Sequence, residues 1–273
     1  MKRITLLLAA FILLACSKSE VKDPVKKGDD DKDPVVESTI RVLSYNIHHG
    51  APAGTTAPIN LDNIAAVIKA QNPDLVALQE VDRNTNRAGV DQAKVLGSKL
   101  GMHYYFSKSI NYQNGEFGVA ILSKYPIVST ERLVLSNKVA GGEQRTLGVV
   151  TVEVPGLGKI KLATAHLDLV LGNREAQVHE INEYSKKSEY PVILAGDLNM
   201  TRFDPEFLPL RAEFLLSCTS SCPLTFPADK PTKEIDFIML NTNAAKKLTV
   251  DKYESITGKL ESDHLPLLGV ISF

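Results

Sequence analysis

Two stretches of the chain repeat one grammar of apolar and polar positions. From Ile40 to Ile47 apolar residues alternate with others and several are β-branched, which predicts a strand. From Leu61 to Gln71 the residues Leu61, Ile64, Ala65 and Ile68 share one face of a predicted helix, and Asn72-Pro73 stops it. Leu75 to Leu78 is a short apolar strand that runs into Gln79-Glu80. The second stretch has an alternating strand, Lys159 to Ala165, ending in His166-Leu167-Asp168. A polar amphipathic helix follows over Asn173 to Lys187, then an apolar strand, Pro191 to Ala195, ending in Gly196-Asp197-Leu198-Asn199. Asn46 and Glu80 are 34 residues apart, and His166 and Asp197 are 31 apart. Each strand–helix–strand unit therefore delivers two polar groups at strand ends, where sites are commonly built. Two such units related by pseudo-symmetry point four polar groups at one cleft.

A third set follows. Glu234 to Leu240 reads as a strand with Asp236 embedded in it, and an acid in so apolar a run needs a partner or a metal. Ser262-Asp263-His264 precedes a last strand running to Phe273. Taken singly, each group has a plain structural role. Asn46 can cap a strand, Glu80 and Asp82 can solvate a loop, His166 can be a core histidine, and Asp197 and Asn199 suit a tight turn. It is their occurrence together, in order and at strand ends, that points to chemistry.

The start of the chain follows different rules. Lys2 and Arg3 precede an uncharged run from Ile4 to Ala15, too short to span a bilayer and suited to a signal-peptide core. Leu13-Leu14-Ala15-Cys16 resembles the bacterial lipobox, which implies a signal peptide over 1–15 and lipidation of Cys16. Residues 16–38 then read as the lipidated cysteine and a disordered tether with two Asp-Pro pairs and the run Asp29-Asp30-Asp31. The expected location is the bacterial outer membrane or cell surface, reached by export and held by the lipid anchor. Cys218 and Cys222 remain of the three cysteines; an oxidising compartment predicts a disulfide between them, with two free thiols as the alternative. The remaining domain, 39–273, has the apolar and charged content of an ordinary folded protein, at 44% and 23% for the chain as a whole. Removing the leader shifts the net charge from −1 to about −3, which argues against a dedicated nucleic-acid binder.

The order of the segments resembles the endonuclease/exonuclease/phosphatase superfamily, from about Ile40 to Phe273. The segments are Leu43-Ser44-Tyr45-Asn46-Ile47, Leu78-Gln79-Glu80-Val81-Asp82, Phe117 to Ile127, Gln144-Arg145, Thr164-Ala165-His166-Leu167, Gly196-Asp197-Leu198-Asn199, Ile235-Asp236-Phe237-Ile238 and Ser262-Asp263-His264. The resemblance implies a deoxyribonuclease I-like fold: an α/β (α+β) four-layered sandwich, two packed mixed β-sheets flanked by helices. It implies metal-assisted attack of water on phosphorus, with Mg2+ as cofactor and Mn2+ as the alternative. Glu80 is then the principal metal ligand, helped by Asn46 and Asp263. Asp197 orients or deprotonates the water, and Asn199 holds the phosphate. His264 contacts phosphate with Asp236 fixing its tautomer, His166 is a general acid or phosphate donor, and Arg145 pairs with phosphate. Glu116 is the candidate acid to pair with His166. One departure stands out: His48 occupies a place where several members carry an acid, and it either tunes the metal towards manganese or lines the cleft.

Substrate class is read from what the chain lacks. It has no tryptophan, short loops and no apolar hairpin for docking on a bilayer. The expected partner is a small phosphorylated molecule or a phospholipid-type headgroup, handled by a monomer. A surface nuclease or sphingomyelinase-like enzyme is the alternative, nucleic acid being the less favoured substrate, and a non-catalytic binding module is the remote one.

Overall fold

The structure, a computed structural model, describes residues 38–52, 54, 58–218 and 221–273; the expected leader, Cys16 and the tether up to residue 37 lie outside these. One sheet contains β1 (Thr39–Asn46), β2 (Leu75–Arg83), β3 (His103–Tyr112), β4 (Gly115–Ser123), β11 (Thr249–Ser255) and β12 (Leu267–Ser272). The other contains β5 (Ile127–Val134), β6 (Thr146–Val154), β7 (Gly158–His166), β8 (Val192–Asp197), β9 (Phe214–Leu216) and β10 (Asp236–Asn241). Their spatial orders are β11-β12-β1-β2-β4-β3 and β5-β6-β7-β8-β10-β9. In each sheet only the central pair is parallel, β1 with β2 and β7 with β8. Parallel neighbours need a crossover. These are α1 (Leu61–Ala70) and α3 (Leu171–Lys186), so the repeated unit read from the sequence is a repeated unit in space.

Side-chain parity explains the layers. In β1 Ile40 and Val42 face the opposite sheet while Leu43 and Tyr45 face away. In β8 Ile193 and Ala195 face inward and Val192 and Leu194 outward. The outward faces are covered by α1 and α2 (Gln92–Leu100) on one side and by α3 and α4 (Phe207–Arg211) on the other, which makes four layers. α1 starts at Asn60, whose side chain accepts hydrogen bonds from the Asp62 and Asn63 amides. α3 starts two residues before the predicted position. Its buried face is partly polar, with Asn173, Gln177, Asn182 and Ser185 among its buried residues, so hydrophobic spacing marks its limits poorly.

The inter-sheet layer changes character along its length. One end is aliphatic, built on Ile40, Val42, Leu162, Ile193 and Ile238. Two to four residues further along the same faces stand Ser44, Asn46, Gln79, Thr164, His166, Asp197 and Asp236, all buried. Gln79 donates to the Thr164 hydroxyl across the gap at 2.9 Å, so the polar end is stitched together before any ligand arrives. Register places these groups level: Asn46 opposite Gln79, His166 opposite Asp197, and Asp197 opposite Asp236. Asp236 opens β10 rather than sitting inside a strand that begins at Glu234.

The strand predicted over Leu75 to Leu78 runs on to Arg83, through a bulge. Leu78 pairs with Ala120 and Val81 with Gly118, so Gln79 and Glu80 together oppose Val119. Alternation alone would send Glu80 to the helix side, with Leu78. The extra residue, with Glu80 at φ +57°, turns it into the cleft instead. Gly196 is required by closeness: a Cβ there would collide with the Ala165 carbonyl. Among the described residues no helix is long and apolar enough to cross a membrane.

Candidate active site

Asp197, at the end of β8, is the hub. Its Oδ2 accepts a hydrogen bond from Asn46 Nδ2 at 3.0 Å and lies 3.5 Å from His166 Nε2 and 3.6 Å from His264 Nε2. Its Oδ1 accepts from the Asn199 amide at 2.9 Å. The carboxylate is buried, and burial pushes it up to about 7; the His264 charge opposes the shift and Asp236 adds to it. The Asn199 side chain, expected on phosphate, donates to the Leu167 carbonyl at 2.9 Å and thereby ties the loop after β8 to the end of β7.

His264 lies on the loop before β12. Its Nδ1 is 2.8 Å from Asp236 Oδ2, which fixes Nδ1 as the proton-bearing nitrogen and aims Nε2 at Asp197. Burial alone would lower its pKa, but Asp236 and then Asp197 outweigh it and raise it to about 10, so it is an imidazolium at neutral pH. Ser262 fastens this loop to β1: its hydroxyl donates to the Asn46 carbonyl at 2.7 Å and accepts from the His264 amide at 3.3 Å.

His166 is the opposite case. Arg145 NH1 donates to its Nδ1 at 3.2 Å, so the ring proton sits on Nε2, facing Asp197. Burial, then the charges of Arg145 and His264, hold its pKa well below the ordinary histidine range. The ring is a neutral donor, which separates it from a general acid that must carry an extra proton. Glu116 is not its partner: that carboxylate pairs with Arg83 and with Lys108 at 3.1 Å. Glu116, Arg83 and Lys108 are brought together by β4 lying between β2 and β3. Arg145, itself buried, is also 3.0 Å from Glu143, and it acts on the site through His166. Replacing it with Gln removes the nearest cation, so His166 is expected to titrate at higher pH than in the wild type, as read from its ring 15N shifts.

Glu80, turned inward by the bulge, accepts from Asn46 Nδ2 at 3.1 Å. Asn46 is the bridge between the two carboxylates of the repeated units, and its Oδ1 accepts from the His48 amide at 3.1 Å. Two groups among the described residues bring at least three ligand-type atoms within 4.8 Å of one another: His48 with His49 and Glu80, and Asp197 with Asp236 and His264. The second group is occupied with itself, and its imidazolium repels a cation. The first fits a divalent metal: a carboxylate with two imidazoles, in a cleft of about 250 Å³ that Arg87 and Tyr112 also line. Burial, then Arg87, lowers His49 to about 4, so its ring is neutral. Asp263 stands in neither group; its carbonyl accepts from the Ala228 amide at 2.7 Å, and its charge acts on His264 and His49.

Other features were hidden in the sequence. Asp82 is a buried anchor for the cleft wall, accepting from Arg87 at 2.7 and 3.0 Å and from the Thr85 hydroxyl at 2.9 Å. Leu169, 72% exposed, and Phe203, 76% exposed, stand on the loops that leave His166 and Asn199, an apolar feature that short loops without a hairpin did not suggest. Cys218 and Cys222 are joined by a disulfide, with their Cα atoms 5.2 Å apart.

Comparison with known proteins agrees with this geometry. The sequence pattern of the Endonuclease/Exonuclease/phosphatase family matches residues 43–264. Uncharacterized protein YbhP of Escherichia coli (strain K12) is 27% identical over 251 residues, spanning 86% of this chain and 97% of that protein. An endonuclease/exonuclease/phosphatase from Beutenbergia cavernae superposes with a TM-score of 0.74 at 24% identity, covering 86% of this chain and 72% of that one. The Bacteroides thetaiotaomicron mannosyl-6-phosphatase Bt3783 superposes with a TM-score of 0.67 at 17% identity, covering 86% and 100%. The fold is thus the deoxyribonuclease I-like sandwich of two six-stranded mixed sheets. With strand-end groups drawn from both halves and a family match from Leu43 to His264, the chain belongs to the endonuclease/exonuclease/phosphatase family, whose members are phosphoesterases.

Proposed function

We propose that the protein hydrolyses small phosphate esters with the help of a divalent metal ion. The observation that carries this reading is the convergence of Asn46, His166 and His264 on one oxygen of Asp197, with Glu80 bonded to the same Asn46 amide. A base, two ring N–H donors and a metal-ligating carboxylate are what attack of water on phosphorus requires.

Glu80 would hold a divalent cation, which when bound would supply Lewis-acid polarisation of a phosphoryl oxygen and neutralise charge on the leaving oxygen. The side chains do the rest. Asp197, near 7, accepts the proton of the attacking water at neutral pH, where a base of matched pKa is most effective. His264 presents a fixed positive N–H to the non-bridging oxygens as charge accumulates there. His166 presents a neutral N–H from the other side, held in that tautomer by Arg145. Asn46 keeps the metal half and the base half in register.

The cleft of about 250 Å³ suits a single headgroup or sugar phosphate better than a duplex. Exposed Leu169 and Phe203 favour, as a second reading, an ester presented at a lipid surface. A substrate panel tests both: sugar phosphates, glycerophosphodiesters, sphingomyelin, inositol phosphates, RNA and plasmid DNA, with and without EDTA. Hydrolysis of small esters that stops with EDTA and returns with added metal is expected. Plasmid nicking faster than any small ester would overturn the substrate class, and EDTA-insensitive turnover would overturn the metal.

A further inference from the structure

We propose that the ion at Glu80 is a divalent first-row transition metal held through nitrogen by His48 and His49, and that the site selects against Mg2+. The inference specifies the ion of the cleft just described. It rests on the phosphoesterase reading for the ion's purpose and not for its binding.

The expected oxygen set is not what the chain assembles. Asn46 turns its amide nitrogen, a donor, towards Glu80, and its oxygen is engaged by the His48 amide. Asp263 lies outside the group. What stands within 4.8 Å of a Glu80 oxygen is a ring nitrogen from each of two consecutive histidines.

Both rings are prepared to ligate. His48 Nδ1 lies 3.2 Å from the Ala51 carbonyl, and a carbonyl can only accept, so Nδ1 carries the proton and Nε2 keeps its lone pair. A ligating histidine anchored by a backbone carbonyl through its other nitrogen is the usual arrangement at metal sites. His49 Nδ1 is buried and has no hydrogen-bond partner. A buried ring nitrogen without a partner needs an explanation, and a bound ion supplies one. The turn that carries the histidines is held from behind, since Gln92 donates to the His49 carbonyl at 2.7 Å while its own oxygen accepts from the Asp82 amide at 2.9 Å. Imidazole favours zinc and its neighbours over magnesium, which prefers oxygen and retains its waters.

The test reads binding directly, on the whole folded domain without substrate. Mn2+ is added and pulsed electron paramagnetic resonance records 14N coupling, and Zn2+ affinity is measured by competition with a chromophoric chelator. The wild type is expected to show 14N modulation and to keep its Mn2+ against a tenfold excess of Mg2+. His48→Gln and His49→Gln should each lose part of the modulation and weaken Zn2+ binding about tenfold or more, with unchanged circular dichroism. Glu80→Gln should lose the site. Bound Mn2+ without 14N coupling, or its displacement by equimolar Mg2+, overturns the inference. Magnesium-driven hydrolysis in the same preparation would then leave the phosphoesterase reading standing, whereas nitrogen-held metal without any hydrolysis would refute that reading and leave this one.

Discussion

Asp197→Asn is expected to lower kcat on a small phosphate ester by between about 100- and 10,000-fold, the range that removal of a positioned general base produces. The substitution keeps the shape and the bond from the Asn199 amide; it removes the capacity to take a proton and sets an amide nitrogen, a donor, where Oδ2 faces Asn46 Nδ2 and the two ring nitrogens. The loss must not be confused with unfolding, and the pKa decides the sign. Asp197 sits at about 7 in the fold, above its usual 3.8. An acid raised in the native state adds stability while protonated, and that contribution fades as pH climbs through about 7. At pH 8 the buried carboxylate therefore costs stability that asparagine does not. That gain offsets the acceptor lost to Asn46, His166 and His264, so the variant's Tm at pH 8 should lie close to that of the wild type. A variant that retains full activity, or one that melts well below the wild type at pH 8, would contradict the role given to this carboxylate.

The second large effect is on the pH profile. Asp197 must be ionised and His264 protonated for the reaction described. Below about 7, kcat/KM is expected to fall tenfold per pH unit as Asp197 gains its proton. On the alkaline side it should hold until His264 deprotonates, near 10. The two groups face one another, so the limbs belong to the pair. Asp236 is the first of the groups that raise His264, and Asp236→Asn should draw the alkaline limb down towards neutral pH, narrowing the plateau from that side. Rates measured across pH 5 to 11 with a pH-insensitive ester would show it. An alkaline limb unmoved by Asp236→Asn would mean that another acid holds the His264 proton.

Much of this site was legible because strand alternation has a strict period. Ile40, Val42, Ser44 and Asn46 share a parity, as do Ile193, Ala195 and Asp197, so apolar strand bodies ending in polar groups announced a cleft at one end of a sandwich. The parallel pairs were readable too, since a helix between two apolar strands leaves little other choice. Partners across strands were not. Glu116 was matched to His166 although its neighbours in the sheet are Arg83 and Lys108, because lateral order is set by pairing between distant segments. Arg145 resembled a phosphate ligand, and only packing shows that it works through His166. α2 left little trace because it contains Gly97, where a Cβ would press on the Met102 carbonyl and Tyr104. The roles of Asn46 and Asn199 changed for one shared reason. An amide is donor and acceptor at once, and which end faces the site depends on bonds that no local pattern encodes.

The bulge at Gln79-Glu80 shows how narrowly the cleft carboxylate is specified. Glu80 owes its direction to counting: one surplus residue puts the strand out of step with its neighbour for the length of a single side chain. Replacing Glu80 changes the chemistry at a fixed place, whereas deleting Gln79 would restore the step, seat Glu80 where Gln79 meets Thr164, and abolish the turn that aims the carboxylate at the cleft. In this fold a frame of three nucleotides, lost without touching any catalytic codon, is enough to silence the site.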